Sequence, residues 1–350
     1  MKESKWTLLG FGVLGGVLAA LLAFFGNPGN MALCIACFIR DTAGAMGMHN
    51  ANTVQYVRPE IVGIVVGAMI LALVRREYKS TAGSAPVMRF ALGVMTMIGA
   101  LVFLGCPLRM VLRMAAGDLN AWVALIGFVG GIATGALFLR RGFSLGRSYD
   151  AMPAGGGVLS VMLVVVLVLS VTTGVMMVST QGPGSMHAPV LLSLVCGLAF
   201  GAIAQHSRMC FAGSFRNLIF TRDVSMILVI AGVFVAMLVY NIAGGTFHLS
   251  FAGQPIAHSQ HLWSILGMYA VGLAATLAGG CPLRQLVLAG QGSSDAACNV
   301  LGMFVGAAIA HNFKLASSAE GTTPAGRIAV VAVVVVLLLV GLVGTRQKKD

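Results

Sequence analysis

The chain has 350 residues, of which 58% are hydrophobic and only 9% charged, and its mean hydropathy is +0.94. A water-soluble domain of this length could not bury so much apolar surface, so the composition excludes that class and predicts an integral membrane protein. The formal charge of +12 is spread along the chain rather than gathered in one tract, which indicates membrane topology and no nucleic-acid partner.

Long apolar runs without strand-like alternation predict helical spans and not a β-barrel, so the fold class is an all-α integral membrane protein. Ten spans are predicted at about 6–25, 57–75, 87–105, 119–139, 156–179, 190–205, 224–242, 262–280, 295–313 and 326–344. Four more polar segments, at about 28–50, 107–117, 207–221 and 282–293, suit short re-entrant helices, which are tolerated at membrane depth where protein or a watery cavity covers them.

The basic residues divide unevenly between the two sides when the first span starts inside. Sixteen of the 22 then fall inside, and the remaining six are Arg40, Arg58, Arg109, Arg113, Lys314 and Arg327. Because Lys and Arg favour the cytoplasmic side, this distribution predicts a multi-pass protein of a bacterial inner membrane with both termini in the cytoplasm.

The chain repeats itself. The pentapeptide Gly-Cys-Pro-Leu-Arg occurs at 105–109 and again at 280–284, and "CFIRD" from Cys37 resembles "CFAGSFRN" from Cys210. This predicts two homologous halves, 1–180 and 185–345, that form one compact membrane domain. Each half holds five spans, an odd number, so the second half is inverted relative to the first. Inverted repeats are typical of transporters, with the substrate path at the repeat interface.

Each pentapeptide carries the signals of a helix start. Proline is favoured at the first helical position, so Pro107 and Pro282 place Cys106 and Cys281 at the N-cap. A thiol there faces free backbone N–H groups and the positive end of the helix dipole, where anions are attracted. Such a setting also lowers a thiol pKa towards reactivity.

The glycine and the arginine of each pentapeptide also favour a site that attracts anions. Gly105 and Gly280 let the backbone turn tightly, and Arg109 and Arg284 add positive charge one turn into each helix. The alternative is that these arginines extend to lipid headgroups. An arginine at membrane depth is costly unless it has a partner, which favours a function in attracting an anion.

The seven cysteines divide into pathway and packing residues. The repeat places four thiols on one path, two approaching from each face: Cys37, Cys106, Cys210 and Cys281. Cys34 is a possible fifth, because "CIAC" has the spacing of a redox or zinc pair. No second Cys or His pair accompanies it, so we predict no metal and no cofactor. Cys196 and Cys298 lie within spans, where cysteine acts as a small hydrophobe.

The remaining polar residues carry weaker signals. His206 precedes Cys210 by one helical turn and could tune it, although an interfacial histidine is the simpler interpretation. We interpret Arg40, Arg216 and Arg222 as charges at the membrane boundary. The carboxylates Asp41, Glu60, Asp118 and Asp295 fall at predicted span ends. No nucleotide-binding loop or hydrolytic triad is present, so the sequence predicts neither an ATP-driven pump nor an enzyme.

At these residues the sequence resembles the YeeE/YedE family of sulfur-compound membrane transporters. The motifs are both copies of "GCPLR", "CFAGSFRN" at 210–217 and "AGGCPLRQLVLAG" at 278–290. Within the family it is most similar to the YedE branch associated with selenium metabolism. The resemblance implies an hourglass-shaped helical fold with inverted pseudo-symmetry, in which Cys37, Cys106 and Cys281 contact the substrate.

Two functions remain open from the sequence. The first is an inner-membrane permease for a selenium- or sulfur-containing anion, with a selenium compound favoured and a thiosulfate-like anion second, passed along the central cysteines. The second is a membrane carrier or enzyme that holds a persulfide or selenopersulfide. The partners would be the chalcogen anion, the lipid bilayer and possibly a cytosolic carrier protein for selenium or sulfur.

Overall fold

The structure is a computed structural model that describes residues 4–346. This part of the chain contains fourteen α-helices, two 3₁₀ turns (Gly29–Met31 and Gly155–Gly157) and one antiparallel pair of two-residue strands, β1 (Thr81–Ala82) and β2 (Tyr149–Asp150). The helices are α1 (Lys5–Phe24), α2 (Ile35–Ala45), α3 (Pro59–Val74), α4 (Pro86–Phe103), α5 (Pro107–Ala115), α6 (Leu119–Arg140), α7 (Val158–Thr172), α8 (Val190–His206), α9 (Phe211–Thr221), α10 (Ser225–Ala243), α11 (His261–Ala278), α12 (Pro282–Gly290), α13 (Ser294–Asn312) and α14 (Pro324–Arg346).

The predicted all-α membrane fold is confirmed. A long helix occupies each of the ten predicted span positions, and the short helices α2, α5, α9 and α12 occupy the four predicted re-entrant segments. Within residues 4–346, eight helical stretches are long and apolar enough to cross a membrane, and three of them join a long helix to the short one after it. Helix α3 is apolar but shorter. The number of complete spans, ten, stays a prediction.

Helix order and helix contacts recur along the chain. From α1 and again from α8, the order is long, short, long, long, short, long, long. Helix α1 packs on α10 as α8 packs on α3, and α6 packs on α11 as α13 packs on α4. This exchange of equivalent partners agrees with the two predicted halves, whose homology stays a prediction. Their inverted relation across a membrane stays a prediction.

Glycines bring the paired helices into backbone contact. A Cβ added to Gly12 in α1 would lie 2.1 Å from the carbonyl oxygen of Val229 in α10. A Cβ added to Gly67 in α3 would lie 2.1 Å from the carbonyl oxygen of Leu198 in α8. Larger residues would force these helices apart, which is the role of small residues where membrane helices pack closely.

Several charged residues are buried inside the protein and paired with one another. Asp41 in α2 is fully buried between two arginines, with Arg40 Nη2 at 2.6 Å and Arg58 Nη2 at 2.8 Å. Arg113 Nε lies 2.6 Å from a carboxylate oxygen of Asp118. Arg40, interpreted from the sequence as a charge at the membrane boundary, is thus covered by protein, and its depth in the membrane stays a prediction. Buried charges are tolerated here because each is paired and hydrogen-bonded.

The four carboxylates predicted at span ends are also buried. Three of them lie at the start of a long helix, and the fourth lies in the short helix α2. The four are Asp41, Glu60, Asp118 and Asp295. Glu60 Oε1 accepts hydrogen bonds from Asn27 Nδ2 at 2.8 Å and Ser193 Oγ at 3.1 Å. Asp118 caps α6 by accepting from the backbone N–H groups of Asn120 and Ala121. At Glu60 Oε1 and at the capping oxygen of Asp118, neutral donors thus replace the water that a carboxylate would otherwise bind.

Loops assigned to one side of the membrane hydrogen-bond to each other. On the predicted outer side, the backbone N–H of Met177 donates to Ala45, and that of His248 donates to Ala116. On the predicted inner side, the N–H of Thr81 donates to Gly292. These contacts agree with the predicted division of the loops between two sides. Which side faces the cytoplasm stays a prediction. Three of the basic residues on which this prediction depends lie outside the described residues: Lys2, Lys348 and Lys349.

We expect a reporter inserted after Gly146 to be on the cytoplasmic side and one inserted after Gly182 to be on the periplasmic side. Both glycines are exposed in loops that flank α7, so insertion should leave the helices intact. Alkaline phosphatase and a fluorescent protein that matures only in the cytoplasm would report the two locations. The opposite result at both sites would contradict the predicted orientation.

Candidate functional site

Each of the four short helices begins at a cysteine. The predicted N-cap positions of Cys106 and Cys281 are confirmed, and in both cases proline occupies the first turn. The two other short helices also have N-cap cysteines, Cys34 for α2 and Cys210 for α9. Four thiols therefore occupy the same place in four helix starts.

The caps of α2 and α9 correct the alignment of the two halves. The Sγ atom of Cys34 accepts from the backbone N–H of Cys37 at 3.3 Å, and that of Cys210 accepts from the N–H of Gly213 at 3.2 Å. Cys34, not Cys37, is thus the equivalent of Cys210. Pairing "CFIRD" with "CFAGSFRN" was wrong by three residues, because "CIAC" contains two thiols and only capping geometry distinguishes them.

The first half contains a cluster of three thiols. Cys34 Sγ lies 2.9 Å from Cys37 Sγ and 3.9 Å from Cys106 Sγ, and all three cysteines are free. The Cys106 thiol also lies by the backbone N–H of Ala36 in the first turn of α2. The helix starts of α2 and α5 therefore converge on these sulfurs.

The second half contains the corresponding thiol pair. The side chains of Cys210 and Cys281 lie close enough to interact, and both are free thiols. The Cys281 thiol lies by the backbone N–H of Phe211 in the first turn of α9. Glycine at position 213 means that this half lacks the third sulfur that Cys37 provides.

All five of these thiols are enclosed by protein. Cys210 is 7% exposed, and the other four are at most 1% exposed. Each group lies where two helix N-termini meet, so backbone N–H groups and the positive ends of the helix dipoles face the sulfurs. A substrate can reach them only if the surrounding segments move.

Arg109 is fixed by hydrogen bonds beside the first cluster. Its guanidinium donates to the backbone carbonyls of Leu104 at 2.6 Å, Ile256 at 2.9 Å and Asn30 at 3.1 Å, and also to Asn30 Oδ1 at 3.1 Å and Cys37 Sγ at 3.3 Å. In the described part of the chain no carboxylate forms an ion pair with it. A fully buried positive charge therefore remains next to the thiols.

Arg284, the equivalent in the second half, is held much less firmly. Its Nη1 atom is buried and has no hydrogen-bond partner within residues 4–346. Its charge is near the thiols of Cys210 and Cys281. An unpartnered guanidinium nitrogen beside two sulfurs is free to bind an anion.

The turns before both helices depend on glycine. A Cβ on Gly105 would lie 2.8 Å from Cδ of Arg109, and one on Gly280 would lie 2.9 Å from Cγ of Arg284. Glycine therefore lets each arginine fold back over its own turn. Pro107 and Pro282 then begin the helices.

The other candidate residues lie elsewhere. His206 ends α8, where it hydrogen-bonds with Arg75 and its ring packs edge-on against Phe11. Cys196 is buried in the core, and Cys298 is partly buried in α13. Among residues 4–346, no group of three or more His, Cys, Asp or Glu side chains is arranged to hold a metal ion.

We expect Cys34→Ser to impair uptake as strongly as Cys210→Ser, because the two thiols cap equivalent helices and contact equivalent partners. Cys37→Gly, which copies Gly213, should retain about tenfold more uptake than Cys34→Ser, since a two-thiol arrangement already exists in the second half. Uptake of labelled thiosulfate and selenite by cells with matched protein levels would measure both. If Cys37→Gly is the more damaging variant, Cys34 is a capping residue only.

Comparison with known proteins agrees with this architecture. Residues 206–345 match the family model described as sulphur transport. A segment of 110 residues is 30% identical to the thiosulfate transporter TsuA of Escherichia coli (strain K12), and it makes up 31% of this chain and 30% of that protein.

The helices define a multi-pass helical membrane protein, and its interior holds five free thiols and a buried arginine charge. The similarity to the sulphur transport family covers residues 206–345, less than half of the chain, and the segment similar to the thiosulfate transporter spans less than a third of that relative. The matched residues include Cys210 and the second Gly-Cys-Pro-Leu-Arg, which contribute the thiol pair of the second half.

Proposed function

We propose that this protein is an inner-membrane transporter for a sulfur- or selenium-containing anion, which passes along the cysteines at the starts of the short helices. The observation that carries the proposal is the convergence of two helix N-termini on each thiol group. Helix N-termini attract anions, and sulfur offers a polarisable contact to a chalcogen atom. The substrate would meet Cys34, Cys37 and Cys106 in one half and Cys210 and Cys281 in the other.

The two arginines would act differently along this path. Arg109 would keep a fixed positive charge beside the first cluster, because its donors are already used by protein oxygens. Arg284 would contact the anion directly through its unpartnered Nη1. A charge-assisted hydrogen bond of this kind stabilises a bound anion by roughly 1.5–3 kcal/mol.

The favoured substrate is a selenium compound, with a thiosulfate-like anion second. The selenium assignment is supported by the resemblance of the paired Gly-Cys-Pro-Leu-Arg to the selenium-associated branch. Thiosulfate is supported by the similarity to the thiosulfate transporter of Escherichia coli. On the cytoplasmic side, a carrier protein for selenium or sulfur would receive the anion or its product.

Uptake by sealed proteoliposomes tests this function. The purified protein is supplied with labelled selenite, thiosulfate or sulfite, and the lumen is assayed for free label. We expect at least one anion to accumulate, competitively with the others, because one path serves all three. Vesicles that contain the Cys106→Ser, Cys281→Ser double variant are the control. No uptake of any of the three by folded wild-type protein would contradict transport.

The same experiment distinguishes transport of the intact anion from the alternative function, a persulfide carrier. A thiolate that attacks the outer sulfur of thiosulfate forms a protein persulfide and releases sulfite, so that atoms and charge balance. Label would then remain on the protein and be released by a small thiol, with sulfite appearing outside the vesicles. Free intact thiosulfate in the lumen excludes that mechanism as the main one.

A further inference from the structure

Two arginines occupy equivalent places after the capping cysteines. Because Cys34 and Cys210 both cap their helices, the corrected alignment pairs Arg40 with Arg216, each six residues after its cysteine. The next position pairs Asp41 with Asn217. The sequence predicts both arginines as charges at the membrane boundary, and in the structure each of them lines a cavity.

The two cavities lie beside different thiol groups. Arg40 and Leu104 line a cavity of about 500 Å³ next to the first cluster. Arg216 lines a second cavity, of about 540 Å³, together with Arg140. Arg216 also borders a space of about 10 Å³, the size of one water molecule, that touches Gly280 immediately before Cys281. Arg216 therefore stands between the second thiol pair and the larger cavity.

The second cavity carries positive charge without a carboxylate. Arg40 is paired with Asp41 at 2.6 Å, whereas the hydrogen bond of Arg216 in the described part of the chain is to Asn217 Oδ1 at 3.4 Å. The residues lining the second cavity include no Asp or Glu: Ala136, Leu139, Arg140, Arg216, Asn217, Phe220 and Thr221. Two arginines in a partly enclosed space raise the local concentration of anions.

We propose that Arg216 and Arg140 form a separate binding site for a doubly charged sulfur or selenium oxyanion, adjoining the Cys210–Cys281 pair. The identity of the anion rests on the proposed function, while the site itself rests on the cavity and its charges. A guanidinium matches two oxygens of such an anion with two parallel hydrogen bonds. In the predicted orientation this cavity opens to the cytoplasm, so the site would hold the anion at release.

Two variants test the site by charge. Arg216→Gln removes the cation, and Asn217→Asp keeps the arginine but copies Asp41, which would pair with it and neutralise it. The matched control is Arg222→Gln, an exposed arginine at the end of the same helix. Labelled thiosulfate exchange is measured in vesicles of neutral lipid with uniform protein orientation, while the concentration is varied on one side at a time.

We expect both variants to raise the half-saturating thiosulfate concentration by about tenfold on the side of the membrane to which the Arg216 cavity opens. This factor corresponds to the loss of one charge-assisted contact. The half-saturating concentration on the opposite side of the membrane should change less than about twofold in both variants. For Arg222→Gln, the concentrations on both sides should change less than about twofold. If the half-saturating concentration on the side of the Arg216 cavity is unchanged while the wild-type protein exchanges thiosulfate normally, the site is overturned and the proposed transport is left intact.

Two further outcomes have defined meanings. A shift that appears only in vesicles containing anionic phospholipid would assign Arg216 to a lipid headgroup and overturn the oxyanion site. If the wild-type protein exchanges no thiosulfate at all, calorimetric titration of the purified protein with thiosulfate decides the matter. Binding that Arg216→Gln and Asn217→Asp weaken supports the site without transport, and absence of binding refutes it.

Discussion

Replacing either Cys106 or Cys281 with serine is expected to reduce anion uptake to below about 1% of wild type, a loss of at least ~2.7 kcal/mol in the transport barrier. Serine is a good N-cap, so α5 and α12 should still begin at the same positions. It keeps the size and the hydrogen-bonding group but removes the polarisable sulfur that would contact the substrate. Uptake of labelled thiosulfate or selenite at equal protein levels measures the effect.

Cys196→Ala and Cys298→Ala are the controls, because these two thiols lie away from the helix starts, one in the core and one in α13. Both should keep uptake within about twofold of wild type, since removing a small apolar group away from the path leaves the path intact. Normal uptake by a folded Cys106→Ser, Cys281→Ser double variant would refute transfer along thiols. It would leave an anion path that depends on arginines and helix ends alone.

The second prediction is that substitutions of the two arginines in the repeated pentapeptide have different effects. Arg284→Gln should yield folded protein whose half-saturating substrate concentration rises by about tenfold, because Nη1 has no protein partner to lose. Arg109→Gln should destabilise the fold by about 3 kcal/mol or more, since it leaves three buried backbone carbonyls without donors. Thermal unfolding in detergent and concentration-dependent uptake distinguish the two losses.

Arg284→Lys is a useful third variant, because it keeps the charge and removes the planar fork. Its half-saturating concentration should lie between wild type and Arg284→Gln. Wild-type affinity in Arg284→Gln for every candidate anion would mean that this side chain only fills space. A stable Arg109→Gln protein with weakened affinity would mean that both arginines bind the anion and that the buried hydrogen bonds add little.

The sequence alone determined the class of protein, the positions of the helices and the place of the central motif. Apolar length predicts a membrane helix directly, and ten such runs with four more polar interruptions correspond to the fourteen helices. Proline after cysteine specifies a helix start locally, so Cys106 and Cys281 were identified as N-caps without any knowledge of packing. These features depend on neighbouring residues only.

Only the tertiary structure decided what each thiol and each charge contacts. Cys34 and Cys37 have nearly the same local sequence signal, and capping geometry together with the distance to Cys106 makes Cys34 the equivalent of Cys210. Identical pentapeptides gave no reason to separate Arg109 from Arg284, because the carbonyls that bind Arg109 come from distant segments around Asn30 and Ile256. Arg40 resembles a boundary charge until α2 is enclosed and Asp41 and Arg58 meet beside it. Burial and pairing arise from segments far apart in the chain, which local pattern does not encode.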